Sequence, residues 1–341
     1  MPGAAWWSGS LEGPVSRGAV GHAVLEPRIE PLTYGTPFDL ASLTKPLSTA
    51  ILAVLLEREG KLALTDACSR WLPELSAGPY ASVPLADLGA HRGGLPAWRP
   101  IYLDAEGRDG YVERIAKEAP AGPSDGTLYS DLSYILLGVA IERAAGETLD
   151  ALFDRLVAGP LGLERTGYAV RGSGFADAAA TERGNAYERR MAGKSGARFP
   201  WRTEVLRGEV HDVNAWALSG VAGHAGLFAP VEEVVSIASA VLDPLRLGLP
   251  GAEAIPWTVP AEPGKRTFGW MPARDADSVR GILDPDAFGH FGFTGTSVWI
   301  EPGRRAVHVL LTNRVHPDVP PEPFTEVRRG FHAAVVASRA V

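Results

Sequence analysis

The chain has 341 residues, 45% apolar and 21% charged, the balance of a soluble globular protein with a substantial core and one large domain or two interleaved subdomains. Its formal charge of −7 offers no basic surface to a polyanion, so a nucleic-acid partner is not expected. The longest apolar runs, such as Ile51 to Leu56 and Val307 to Leu311, are too short to span a bilayer.

Cys68 is the single cysteine, so no intrachain disulfide can form, and its setting in Thr65-Asp66-Ala67-Cys68-Ser69-Arg70 reads as a helix start rather than a thiol nucleophile. The opening MPGAAWWSGSLEG lacks a basic segment followed by an apolar one. It is therefore not read as a secretory signal, and a cytoplasmic location is expected.

In chain order, residues 15–40 read as short strands and turns, with a strand over 19–25 and Gly35-Thr36-Pro37 leading to Phe38. From Leu43 the apolar spacing turns helical through Leu47, Ile51, Leu52, Leu55 and Leu56, ending near Gly60. Pro46 falls in the first turn, where its missing N–H costs little, so Ser42 lies at or just before a helix N-terminus. Residues 61–165 read mostly as helix and loop, with helices over 66–75, 111–118, 133–145 and 149–157. The stretch 172–207, rich in Gly, Ala and Arg with weak periodicity, reads as an irregular excursion, and a helix follows over 231–242. Short β-type runs at 267–271, 288–293, 296–301 and 306–312, separated by Gly and Pro, predict consecutive antiparallel strands before a closing helix over 323–337.

Strands at both ends with helices between them predict an α+β fold. One antiparallel β-sheet flanked by helices would be assembled from residues 1–60 and 216–341, with an inserted all-helical subdomain over 61–215. The chain has no internal repeat and no low-complexity tract.

The first candidate for chemistry is Ser42-Leu43-Thr44-Lys45. On a helix, positions i and i+3 share a face about 5 Å apart, so a lysine amine can reach the serine hydroxyl. A serine needs a base, and a lysine can serve where burial and nearby positive potential depress its pKa. Alone, Ser-x-x-Lys arises by chance in many proteins, and a capping serine beside a solvated lysine fits the same spacing. Two features favour the chemical reading: it is the only such motif in the chain, and only five of the 33 basic residues are lysines. A lysine where arginine would solvate equally well suggests a group that must lose its proton.

The second candidate is Tyr129-Ser130-Asp131, just before the helix expected near Ser133. A phenol close to Lys45 could exchange protons with the serine and the leaving group, whereas a half-buried tyrosine at a loop–helix junction is the plainer reading. The third is Gly289-His290-Phe291-Gly292-Phe293-Thr294-Gly295-Thr296, heading a strand pair. Its glycines permit close backbone approach, and an edge N–H there could join that of Ser42 as an oxyanion hole. Taken alone, His290 reads as a surface histidine.

Together these blocks resemble the serine β-lactamase-like family, which includes class C β-lactamases, D-alanyl-D-alanine carboxypeptidases, D-aminopeptidases and related esterases. The resemblance runs from about Thr36 to about Pro317. It takes in Phe38 to Lys45, Leu88 to Pro96 (LGAHRGGLP), Tyr129 to Asp131 followed by Ile135 to Gly138, Gly208 to Ala215 (GEVHDVNA), Val221 to Phe228 (VAGHAGLF) and His290 to Pro302. It implies a β-lactamase/transpeptidase-like fold and an acyl-enzyme mechanism without a cofactor. In that mechanism Ser42 attacks a carbonyl, Lys45 and Tyr129 manage its proton, and the N–H groups of Ser42 and Phe293 hold the oxyanion. Asp131, His290 and Gly292 are the expected substrate contacts.

Two departures stand out. The tyrosine motif often ends in Asn, where this chain has Asp131, and the third motif is often Lys-Thr-Gly, where it has His290-Phe291-Gly292. A largely neutral histidine predicts weak capture of a substrate carboxylate, so an esterase or aminopeptidase type is expected over an efficient β-lactamase. The competing expectation is a binding or sensor protein that keeps the fold without turnover.

No His-x-x-x-His pair or cysteine cluster suggests a metal; His211, Asp212 and Asn214 are read as stabilising the loop that covers the cleft, and His224 is assigned no role. Neither a Gly-x-Ser-x-Gly elbow nor a phosphate-binding loop occurs. The expected partner is a small ester or amide, while oligomeric state is not legible in the chain.

Overall fold

The structure, a computed structural model, describes residues 1–122, 126–171, 174–249, 264–320 and 322–338. Its strands are β1 (Gly3–Ser10), β2 (Gly13–Val24), β3 (Glu30–Pro31), β4 (Phe38–Asp39), β5 (Gly167–Tyr168), β6 (Leu227–Ala229), β7 (Met271–Pro272), β8 (Phe288–Phe291), β9 (Ser297–Glu301) and β10 (Ala306–Thr312). Seven of them form an antiparallel sheet in the order β3-β2-β1-β10-β9-β8-β7, and β4-β6-β5 form a small second sheet. The chain is thus α+β, with its main sheet built from both ends.

The helices are α1 (Ile51–Arg58), α2 (Cys68–Trp71), α3 (Leu85–Gly89), α4 (Gly107–Ala116), α5 (Asp131–Ala145), α6 (Leu149–Phe153), α7 (Gly159–Leu161), α8 (Ala186–Ala192), α9 (Val213–Ala217), α10 (Val231–Leu242) and α11 (Thr325–Ala337). Among the described residues, none is long and apolar enough to cross a membrane.

The central strand β10 is buried along its whole length, because α10 packs against it and α11 also contacts it. A strand covered on both faces loses the apolar–polar alternation that marks a half-exposed one. The same effect hides β1, whose GAAWWSGS sequence is mostly buried and pairs with β10 through Trp6 opposite Leu310. The sequence reading places no strand before residue 15, so β1 is an addition. The inserted subdomain expected to be all-helical over 61–215 is not, because β5 lies within it and pairs with β6, and further elements differ from expectation. The helix expected over 66–75 breaks at Pro73 into α2 and a 3₁₀ turn, as a missing N–H dictates. The excursion at 172–207, whose first two residues lie outside the described ones, contains α8. The strand expected over 267–271 shrinks to Met271–Pro272, pairing with β8.

The site is positioned by two buried helices. Residues Lys45–Ala50 form a π-helical segment that runs into α1, and the side chains of Leu43, Leu47 and Ile51 to Leu56 lie in the core. Truncating Leu47 to Ala would cost roughly 2–5 kcal/mol. Beside it, α5 is buried from Leu132 to Glu142. A Cβ at Gly223 would stand 2.1 Å from the Tyr134 carbonyl, so only glycine lets the 223–225 segment lie against α5. That close approach brings the backbone of His224 to Lys45.

Candidate active site

The loop before the first helix carries Ser42. Asp39, at the end of β4, accepts the N–H of Ala41 at 2.8 Å and the N–H of His211 at 2.7 Å, although burial pushes its carboxyl above the usual carboxylate range. Ala41 sits at φ +48°, a left-handed conformation that costs a non-glycine residue about 1–2 kcal/mol. The kink turns the half-buried Ser42 toward a cavity of about 470 Å³.

Lys45 follows one turn later and is completely enclosed. Its Nζ donates to Ser42 Oγ at 2.9 Å and to the carbonyl of His224 at 3.1 Å, and it lies 2.7 Å from Asp131 Oδ1. The expectation that burial leaves this amine ready to lose its proton is corrected here. Burial does act in that direction, but the negative charge of Asp131 and the neighbouring Tyr129 outweigh it and hold the ammonium above the ordinary lysine value. At rest Lys45 is a cation set among Ser42 Oγ, the His224 carbonyl, the Asp131 carboxylate and Tyr129.

Tyr129 and Asp131 are held by the segment that contains LGAHRGGLP. Leu128 N–H donates to His91 O, Ser130 N–H to His91 Nδ1 at 3.0 Å, and Asp131 N–H to Ala97 O. Ser130 Oγ donates to Pro96 O and accepts from Ser133 N–H, capping α5. This brace sets the Tyr129 ring with its centroid 5.1 Å from Lys45 Nζ and 5.0 Å from the Arg266 guanidinium. His91 and His290 flank the same ring.

The third segment closes on the serine loop from the sheet side. Thr294 Oγ donates to Asp39 O at 2.8 Å and Thr296 Oγ to Leu40 O at 3.1 Å. A Cβ on Gly292 would meet Thr296 Oγ at 2.0 Å and Leu40 O at 2.5 Å, so the turn after β8 approaches the serine loop as only glycine permits. Ser42, Tyr129, Asp131, His290, Gly292 and Phe293 all line the one cavity, while Lys45 stands behind Ser42.

His290 is buried rather than on the surface. Its Nδ1–H donates to Phe291 O at 2.8 Å, which leaves Nε2 as a bare acceptor without a hydrogen-bond partner among the described residues. Burial, with the positive charges of Arg266 and Lys45, holds its pKa well below the ordinary histidine value. It is neutral, as expected.

Arg266, Arg314 and Arg328 also line the cavity and pair with no carboxylate among the described residues. Arg314 Nε donates to Phe293 O, and Arg328 donates to the carbonyls of Gly292 and Thr296. The expectation of weak carboxylate capture considered His290 alone; these three cations were missed. Also lining the cavity, His224 Nε2–H donates to Asp212 Oδ1 at 2.8 Å, and Asp212 caps α9 through Ala215 N–H. Against the cost of partial burial, these partners hold Asp212 down to about 2, while burial and Asp212 push Glu188 well up. His211 donates from Nε2 to Glu182 and stacks on Phe293. Among the described residues no group of three or more metal-ligating side chains gathers.

Comparison with known proteins gives this geometry a family. The family model described as Beta-lactamase matches residues 1–329. The chain belongs to the beta-lactamase family. It is 31% identical over 316 residues, 84% of this chain and 71% of the relative, to a protein of Escherichia coli (strain K12) named "Putative D-alanyl-D-alanine carboxypeptidase". It is equally 31% identical over 325 residues, 86% of this chain and 72% of the relative, to the N-acetylmuramyl-L-alanine amidase of Bacillus subtilis (strain 168). Among solved structures, the class C beta lactamase from Rhodobacter sphaeroides superposes with a TM-score of 0.72 at 20% identity, covering 100% of this chain and 95% of that one. As a member of the beta-lactamase family the chain is a serine hydrolase with an antiparallel sheet and flanking helices.

Within that family frame, Cys68 has no chemical role: it is buried, and desolvation pushes its thiol up to about 12. Glu188 was hidden from sequence reading inside the 172–207 excursion. Arg314 and Arg328 follow the third motif with no spacing signal that ties them to it.

Proposed function

We propose that the chain hydrolyses a small ester or amide through an acyl group carried on Ser42. Lys45 and Tyr129 handle the serine proton, and the backbone N–H groups of Ser42 and Phe293 receive the oxyanion. The 2.9 Å contact between Lys45 Nζ and Ser42 Oγ, at the wall of a 470 Å³ cavity, is the observation that carries this reading. The close approach of Gly292 to Leu40 supports Phe293 in its role, because it brings the backbone after β8 beside the serine loop.

The cavity has two charged walls. Asp131 and Asp212 are on the Lys45 side, and Arg314 and Arg328 are tied to the 292–296 turn. Substrates whose leaving part bears a negative charge fit the arginine wall better than the histidine alone suggests.

A fluorophosphonate should label Ser42 at one equivalent, and short nitrophenyl esters, D-amino acid amides and nitrocefin compared side by side would rank the acyl donors. Ser42→Ala should abolish both labelling and turnover, and undiminished turnover in that variant would reject the reading. One stoichiometric acylation without release would instead identify an acylated binding protein.

A further inference from the structure

Lys45 poses a chemical problem. Its ammonium donates to Ser42 Oγ and His224 O, forms an ion pair with Asp131 Oδ1 at 2.7 Å, and has the Tyr129 phenol beside it as well. In that state it has no lone pair, so it must give up a proton before it can take one from Ser42. Of these neighbours, the peptide carbonyl cannot hold a proton, the serine is the group to be deprotonated, and a neutral phenol such as Tyr129 is too weak a base to take one from an ammonium. The carboxylate is also the shortest contact, and it differs from the lysine in one decisive respect. The Lys45 side chain is fully enclosed, whereas that of Asp131 is 20% exposed and lines the cavity. One carboxylate therefore touches both the amine and the space where a leaving group or a water would stand. An amide at this position could hydrogen-bond to the lysine but could not carry a proton.

We propose that Asp131 is a catalytic residue, the proton carrier between Lys45 and the leaving group in acylation and between water and Lys45 in deacylation. The proposal rests on the reading of Ser42 as the nucleophile. In acylation one proton moves from Lys45 Nζ to Asp131. The neutral amine then takes the Ser42 proton as Oγ bonds to the carbonyl carbon. The tetrahedral intermediate collapses, the bond to the leaving group breaks, and Asp131 delivers its proton to the departing oxygen or nitrogen. Lys45 is again an ammonium and Asp131 a carboxylate. In deacylation Asp131 accepts a proton from water as the hydroxide adds to the acyl carbon. The bond to Oγ breaks, Lys45 protonates Oγ, and Asp131 returns its proton to Lys45. No co-reactant other than water is needed. Removing the ion pair from water as substrate fills the cavity favours the neutral pair that begins the cycle.

The test is the dependence of the acylation rate on leaving group in wild type, Asp131→Asn and Asp131→Glu, using 4-nitrophenyl and ethyl esters of one acyl group. Nitrophenolate departs without a proton, whereas ethoxide requires one. Asp131→Asn should lower acylation by the ethyl ester about 10²-fold or more beyond its effect on the nitrophenyl ester. Asp131→Glu, which keeps a carboxylate, should show a leaving-group dependence close to that of wild type. An equal loss for both esters, or none, overturns the proposal and leaves the proton with Tyr129. Should the asparagine variant fail to label with a fluorophosphonate, the glutamate variant decides: a wild-type dependence on leaving group supports the carrier, and a steeper one overturns it. Absence of labelling in wild type itself would sink the Ser42 reading, a result distinct from either.

Discussion

Lys45 Nζ and Asp131 Oδ1 meet at 2.7 Å, one group sealed in the core and the other open to the cavity. Breaking such a pair leaves a carboxylate facing a hole where its cation stood. Lys45→Ala is expected to lower kcat/KM by at least about 10²-fold through loss of proton handling. It should also lower unfolding free energy by about 3 kcal/mol, read from urea titration. A variant that keeps wild-type turnover would remove the lysine from the mechanism.

The turn after β8 is held to the serine loop by contacts that leave no room for a side chain. In Gly292→Ala, the new methyl would press on Thr296 Oγ and the Leu40 carbonyl, moving Phe293 away from Ser42. A displacement near 1 Å costs roughly 10²-fold in rate, so kcat should fall far more than KM rises. Steady-state kinetics on a nitrophenyl ester measure the split, and a change confined to KM would count against an oxyanion role for that turn.

Two buried histidines tie stability to pH. Burial, reinforced by Arg266 and Lys45, holds His91 and His290 well below the ordinary value of 6.5 in the folded chain. The unfolded chain therefore binds protons below about pH 6.5 that the folded chain refuses, and stability present above that pH is lost as the pH falls. Each histidine should contribute about 1 kcal/mol to the decline between pH 6.5 and 5.5. Urea titrations of His91→Gln at the two pH values should show a correspondingly smaller decline than wild type. An identical decline would mean that the ring titrates in the folded chain as it does in the unfolded one.

Backbone strain beside Ser42 is open to a simple substitution. Ala41 at φ +48° should gain about 0.5–1 kcal/mol when replaced by Gly, which adopts this region freely, and should lose more than that when replaced by Val. Thermal melts of the two variants would move in opposite directions. If both fall, the side chain at 41 is contributing packing that outweighs the strain.

The chemistry-bearing blocks were legible because each is local. Ser42 and Lys45 share one helical turn, Tyr129 and Asp131 flank a cap, and His290 to Phe293 end a strand. Long-range relationships were not. The charge on Lys45 depends on a carboxylate 86 positions away, and no spacing rule links them. Arg314 and Arg328 reach the cavity only because β10 and α11 lie beside the 292–296 turn. In the fold, α10 and β10 begin and end at the residues expected for them, β10 as a short β-type run bounded by turn residues rather than by alternation. β1 was missed, because burial along most of the strand erases the alternation by which a strand is recognised.

The most direct measurement is intact-mass spectrometry of the wild-type enzyme mixed rapidly with a nitrophenyl ester, followed by peptide mapping. Ser42 is expected to carry the acyl group transiently, with the adduct decaying as turnover proceeds and absent from Ser42→Ala. Turnover without an adduct at Ser42, or an adduct on any other residue, would contradict it.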